Sequence, residues 1–125
     1  MIRAGPKNDT NLLEWEAFIN GPENSPYEGG IFKLDVKIPE EYPYKPPSVK
    51  FVTYVYHPNI GADGSICVDF LSTSKWNPAL TISKVLVSLM LLLVAPNASD
   101  PLDSRVANVY RNDIENYNKI VRQMT

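Results

Sequence analysis

One cysteine and one histidine in 125 residues leave few places for reactive chemistry. A lone thiol rules out an internal disulfide, and one cysteine with one histidine cannot assemble a Cys/His zinc site. Basic charge is scarce as well. Twelve Lys and Arg stand against fourteen Asp and Glu, for a formal charge of -2, so the chain lacks the positive field with which nucleic-acid or anionic-membrane binders gather their partners. Long apolar runs are missing. The most apolar stretch, residues 85–95, is about half of the ~20 residues that a membrane span needs, and Met1-Ile2-Arg3-Ala4-Gly5-Pro6 offers no apolar run for a secretory signal. These absences predict a cytoplasmic or nuclear protein with neither nucleic acid nor membrane among its partners. The glycosylation sequons Asn8-Asp9-Thr10 and Asn97-Ala98-Ser99 carry no meaning in such a compartment.

What the chain has in excess is proline. Eleven prolines are roughly twice the usual ~5% share, and each fixes φ and stiffens a loop. With 44% hydrophobic and 21% charged residues, the composition is that of one globular domain over residues 1–125. Leu13, Trp15, Ala17 and Ile19 alternate with Glu14, Glu16 and Phe18, and Phe32, Leu34, Val36 and Ile38 alternate with Lys33, Asp35 and Lys37. Both segments have the period of two of a half-buried strand. The turn formers from Gly21 to Gly30 make the pair a long-looped hairpin. A third strand over residues 49–54 follows the proline-rich Tyr42-Pro43-Tyr44-Lys45-Pro46-Pro47, giving a meander with a possible fourth short strand near Tyr56. Thr81 is positioned to cap a helix whose Ile82, Val85, Leu86, Leu89, Met90, Leu92 and Leu93 cover most of its circumference, which makes it central. Pro96 ends it. Val106, Val109, Tyr110, Ile114, Tyr117, Ile120, Val121 and Met124 then recur at three and four, as one long or two short amphipathic helices. The class is α+β, an antiparallel meander of about four strands against a central helix and C-terminal helices.

Between residues 57 and 78 the periodicity stops, and this stretch holds both His57 and Cys67. Loops beyond about 12–15 residues in a compact domain are usually functional or disordered, and Ile60, Ile66, Val68, Phe70, Leu71 and Trp76 argue against disorder. Taken alone, Cys67 reads as a buried small hydrophobe before it reads as a reactive thiol. Its position after Gly64-Ser65, with Asp63 and Asp69 nearby, favours accessible backbone. His57 admits a thiolate–imidazole dyad or a loop-bracing hydrogen bonder.

Tyr56-His57-Pro58-Asn59-Ile60, Gly64-Ser65-Ile66-Cys67-Val68-Asp69 and Trp76-Asn77-Pro78-Ala79-Leu80-Thr81-Ile82 together resemble the core signature of ubiquitin-conjugating enzymes. Gly21-Pro22, Ser25-Pro26-Tyr27-Glu28-Gly29-Gly30 and the proline-rich loop are similar to the same family's hairpin and proline segment. The motifs run in order from about Ala4 to Thr125, and they look most like the small, broadly acting branch that serves many ligases. The resemblance implies that Cys67 takes the ubiquitin C-terminus from an activating enzyme as a thioester, for delivery to a substrate lysine. With an ordinary pKa near 8.5, about 3% of such a thiol is thiolate at pH 7. It implies that Asn59 donates to the oxyanion formed when lysine attacks, with a loop-bracing role as the alternative. Asp100 then orients the incoming lysine, or instead caps the helices after Pro101, and Asp69 is a possible helper. Pro43 and Tyr44 with Pro78 and Ala79 match the two loops that meet RING-type or HECT-type ligases. His57 braces its loop, and Trp76 belongs to the core.

No cofactor or metal is implied, ATP being consumed by the activating enzyme upstream, and the protein is expected to be a monomer. A non-catalytic scaffold of the same fold, binding ubiquitin or ligases, is the competing reading, followed by a Cys/His hydrolase. Three departures stand out. The family's first, basic helix is expected before Ala4, where three residues precede, so either the chain is trimmed or the natural product is a shortened form with impaired charging. The stretch from Cys67 to Trp76 is one residue longer than the family pattern, through Ser72-Thr73-Ser74. Ser99 stands where a second acid is common.

Overall fold

A computed structural model of the chain describes residues 2–66, 71–72 and 74–125. Four strands, β1 (Ile2–Pro6), β2 (Glu14–Asn20), β3 (Ile31–Lys37) and β4 (Ser48–Phe51), form one antiparallel sheet in the order β1-β2-β3-β4. Three helices follow, α1 (Ile82–Val94), α2 (Ser104–Asn112) and α3 (Ile114–Met124), which completes an α+β arrangement.

The register turns the sequence alternation into two faces. Ala17 pairs with Leu34, Ile19 with Phe32 and Leu34 with Phe51, so these side chains enter the core together. Glu16, Phe18, Lys33 and Asp35 take the opposite, wetter face. There Glu16 lies directly across from Asp35, a pairing of like charges that costs stability. Lys7 relieves it at 2.8 Å from Asp35, and the hydrogen bond to that carboxylate raises the lysine's pKa. Leu13 and Ile38 flank the strands, joined by the bond from Ile38 N to Leu13 O.

The fourth strand is not near Tyr56. Residue 56 lies outside regular structure, and the extra strand is the N-terminal Ile2–Pro6, paired along its length with β2. Gly5-Pro6 disguises it, since proline is tolerated in a sheet only where its missing N–H faces an open edge. The third strand ends at Phe51 rather than Tyr54, because Phe51 N turns to Gly64 O.

Helix α1 packs on β1 and β2 through Val85, Leu86, Leu89 and Leu93. Thr81 caps it, its hydroxyl accepting from Lys84 N at 3.1 Å. Val87, Leu91 and Val94 form a solvent-facing apolar stripe on the other side. The C-terminal periodicity resolves into two helices that pivot on Asp113, which ends α2 and caps α3 by accepting from Asn116 N. The cap of α2 is Asp103, accepting from the backbone N–H groups of Arg105 and Val106; Asp100 does not fill that place. Leu102 N and Asp103 N both donate to Pro58 O, which sets where the helix can begin. Among the described residues, no helix is long and apolar enough to cross a membrane.

The loop between β2 and β3 is bolted to α3. Tyr27 Oη lies 2.5 Å from Tyr56 O and 2.6 Å from Tyr117 Oη. A carbonyl only accepts, so Tyr27 gives its proton to Tyr56 O and receives one from Tyr117. Burial holds both phenols well above the ordinary tyrosine pKa. Gly21 is required where this loop folds back, because a Cβ there would come within 1.7 Å of Tyr27 O.

Candidate active site

Residues 57–60 follow directly from the Tyr56 anchor. They make a tight turn, with Ile60 N donating to His57 O and Ile60 bridging both His57 and Ile66. Ile66 therefore lies against the turn that carries Asn59. Its neighbour Cys67, together with Asp69, lies outside the described residues. The approach is shaped by Gly64, whose φ of +89 and whose place against Phe51 O leave no room for a Cβ.

His57 is fully buried and both ring nitrogens are engaged. Asn59 N–H donates to Nδ1 at 3.0 Å, and Nε2 sits 2.7 Å from Leu92 O. The first bond makes Nδ1 an acceptor and the second requires the proton on Nε2, so the neutral tautomer is fixed by its surroundings. Burial pushes its pKa down to about 4, against a smaller upward pull from the Leu92 carbonyl. A ring held in this way joins the turn to α1.

Asn59 joins the same turn to the segment after α1. Its Oδ1 accepts from Asn97 N at 2.8 Å, while Nδ2 donates to Asn97 O at 2.8 Å and to Asp100 O at 3.2 Å. With two amide hydrogens and two carbonyls, the carboxamide has no donor left over. Donation to a developing oxyanion therefore requires one of these bonds to be exchanged, and the longer one, to Asp100 O, is the weaker hold. The segment is further shaped by Asn97 Oδ1, which accepts from Ser99 N and Ser99 Oγ. Arg111 of α2 adds a bond from Nη1 to Ala98 O at 2.7 Å. Asp100 itself is exposed, and among the described residues its carboxylate takes no hydrogen bond or ion pair.

The two loops matched to ligase contact are tied to one another. Trp76, in the core, donates from Nε1 to Pro43 O at 2.7 Å, and its ring lies 6.4 Å from that of Tyr42. Tyr44 is 80% exposed, and Pro78 and Ala79, two and three residues after the tryptophan, are exposed as well. Asn77 shapes this second loop by accepting from Ala79 N at its side chain and from Leu80 N at its backbone. A rigid, partly apolar surface results, with one aromatic standing clear of it.

The structure thus gathers His57, Asn59 and the backbone of Asp100 at one place, and Pro43, Tyr44, Pro78 and Ala79 at another. Arg111 escaped the sequence reading. Its only signal was a basic residue in a helix's last turn, a position common in any helix. Among the described residues, no three His, Cys, Asp or Glu side chains come together to hold a metal ion. The family model described as ubiquitin-conjugating enzyme matches residues 1–125, end to end across both groups of residues, and the chain belongs to that family.

Proposed function

We propose that the chain is a working ubiquitin-conjugating enzyme that carries ubiquitin on Cys67. The thiolate attacks the carbonyl carbon of the thioester linking ubiquitin to its activating enzyme. A new C–S bond forms, the old one breaks, and the activating enzyme's cysteine leaves as thiolate. A substrate lysine then attacks the same carbonyl: the C–N bond forms, the C–S bond breaks, and the amine gives up a proton as Cys67 departs.

The observation that supports this best is the convergence of three separate segments beside residue 66. The turn bearing Asn59 bridges Ile66, and the same turn holds Asn97, Asp100, Leu102 and Asp103 through side-chain and backbone bonds. Such wiring ties the backbone of Asp100 to the turn that bridges Ile66 without using the acid's own side chain. Asp100 is left able to orient an ammonium or amine. Asn59 serves first as the brace of this arrangement, and donation to the oxyanion is its second role, when the Asp100 O bond is released. Pro43, Tyr44, Pro78 and Ala79 form the surface for RING-type or HECT-type ligases, where an exposed aromatic on a stiff frame suits a small and transient contact.

The test is incubation with activating enzyme, ATP and ubiquitin. A thiol-labile adduct that becomes thiol-stable in Cys67→Ser, as an oxyester, is expected. No adduct would leave the non-catalytic scaffold, and, Cys67 being the chain's one thiol, a parent adduct that already resists thiol would place the linkage on another side chain.

A further inference from the structure

The segment from residue 97 to residue 103 is held along one side by the turn at residues 57–60. Asn59 takes Asn97 and Asp100, and Pro58 O takes Leu102 N and Asp103 N. All of these bonds act before or after the bend at Ala98-Ser99. Among the described residues the bend itself has one tether from another element, the guanidinium of Arg111 on Ala98 O at 2.7 Å, thirteen residues further along the chain. A charged donor at that distance makes a strong and directional bond. It also brings positive charge just past the end of α1, which has no basic residue in its own last turn.

We propose that Arg111 is a positioning residue for lysine transfer, acting through the Ala98 carbonyl on the placement of Asp100. The proposal rests on the reading of Cys67 as the ubiquitin carrier and Asp100 as the group that meets the incoming lysine. Because the Asp100 carboxylate has no partner among the described residues, its backbone alone limits where it can reach. That backbone is fixed by Asn59, at Asn97 before the bend and at Asp100 after it, and by Arg111 at the bend itself. Releasing the bend leaves Asp100 attached at its carbonyl but free to swing, and displacements of about 1 Å at a reacting centre are costly in rate. Loading of Cys67 uses no lysine and no Asp100 contact, so it is indifferent to the change.

The experiment compares parent, Arg111→Ala, Arg111→Lys, Asp100→Ala and the Arg111→Ala/Asp100→Ala pair in single-turnover loading and in discharge to free lysine, with melting temperature alongside. Arg111→Ala is expected to load within about twofold of the parent and to discharge several-fold more slowly, while Arg111→Lys, which keeps one donor, recovers most of the rate. In the Asp100→Ala background the Arg111→Ala change is expected to have no further effect, since coupled residues fail to add. Additive losses, equal slowing of loading and discharge with a lowered melting temperature, or unchanged discharge in Arg111→Ala would each overturn the positioning role while leaving the conjugating reading intact. Failure of the parent to form a thiol-labile adduct would instead overturn the conjugating reading, and this role with it.

Discussion

Acid is expected to weaken the fold around the site through His57. Its folded pKa of about 4 lies below the ordinary value of 6.5, so between these limits the unfolded chain binds a proton that the folded chain refuses. Stability is therefore complete above about pH 6.5 and falls as pH drops towards 4, below which both states are protonated and the loss stops. At 1.36 kcal/mol per pH unit the full loss is about 3 kcal/mol, of which about 2 kcal/mol has gone by pH 5. Burial is the main cause, and a second proton would sit on Nδ1, where Asn59 N–H already points. His57 is the only histidine in the chain, so its imidazole resonances can be followed without assignment ambiguity. Two measurements decide the matter. The imidazole should titrate far below 6, and urea unfolding between pH 7 and pH 4.5 should show the parent losing stability relative to His57→Gln, which carries no titrating ring. A titration midpoint near 6.5, or a gap between parent and variant that does not change with pH, would refute the reasoning.

Asn59→Ala removes three hydrogen bonds and leaves Asn97 N, Asn97 O and Asp100 O to find water. A loss of about 2–4 kcal/mol is expected in urea unfolding, with loading and discharge both slowed; an unchanged melting temperature with discharge alone down by ~10²–10³ would make oxyanion donation the whole role. Tyr117→Phe should cost about 1 kcal/mol, because Tyr27 keeps its bond to Tyr56 O, whereas Tyr27→Phe strands both neighbours and should cost about 2–3 kcal/mol. The reverse order would mean that the proton runs from Tyr27 to Tyr117. Tyr44→Ala, at an 80% exposed position, should leave charging and melting temperature alone while weakening ligase-stimulated discharge by about 1–2 kcal/mol, as one anchor in a small interface does. Equal losses in charging would make it structural.

The strands β2 and β3 were legible because one buried and one wet face force alternation on the sequence. Strand β1 was not, since an edge strand of five residues ending in Gly5-Pro6 has the composition of a turn. The break at Asp113 was similarly hidden. Apolar spacing runs on from Val109 and Tyr110 to Ile114 and Tyr117, and only the backbone angles at Asp113 (φ −152, ψ 73) interrupt it. At the site, the residue types were readable through the resemblance, but the wiring was not. A carboxamide that binds a backbone thirty-eight residues away, or an arginine that holds the carbonyl of Ala98, has no period and no motif. Asp100 and Asp103 illustrate the limit: both could cap a helix after Pro101, and the choice was made by Pro58, whose carbonyl takes the N–H groups of Leu102 and Asp103.

The tyrosine bolt has a consequence in time. Each strand pairs with its neighbour in sequence, so the meander closes through connections of ten residues or fewer, whereas Tyr27 and Tyr117 are 90 residues apart. Contacts at such separation carry a large closure cost and belong to the late stages of folding. During synthesis the sheet and the Cys67 stretch leave the ribosome well before α3. Until α3 follows, the phenol of Tyr27 has no Tyr117 to receive a proton from, and the loop between β2 and β3 is not yet fastened at its far end. A bond made after the rate-limiting step governs how slowly a protein comes apart rather than how fast it assembles. Tyr117→Phe should accordingly raise the unfolding rate in stopped-flow measurements and leave the refolding rate nearly unchanged, making the last helix the keeper of the native state's lifetime.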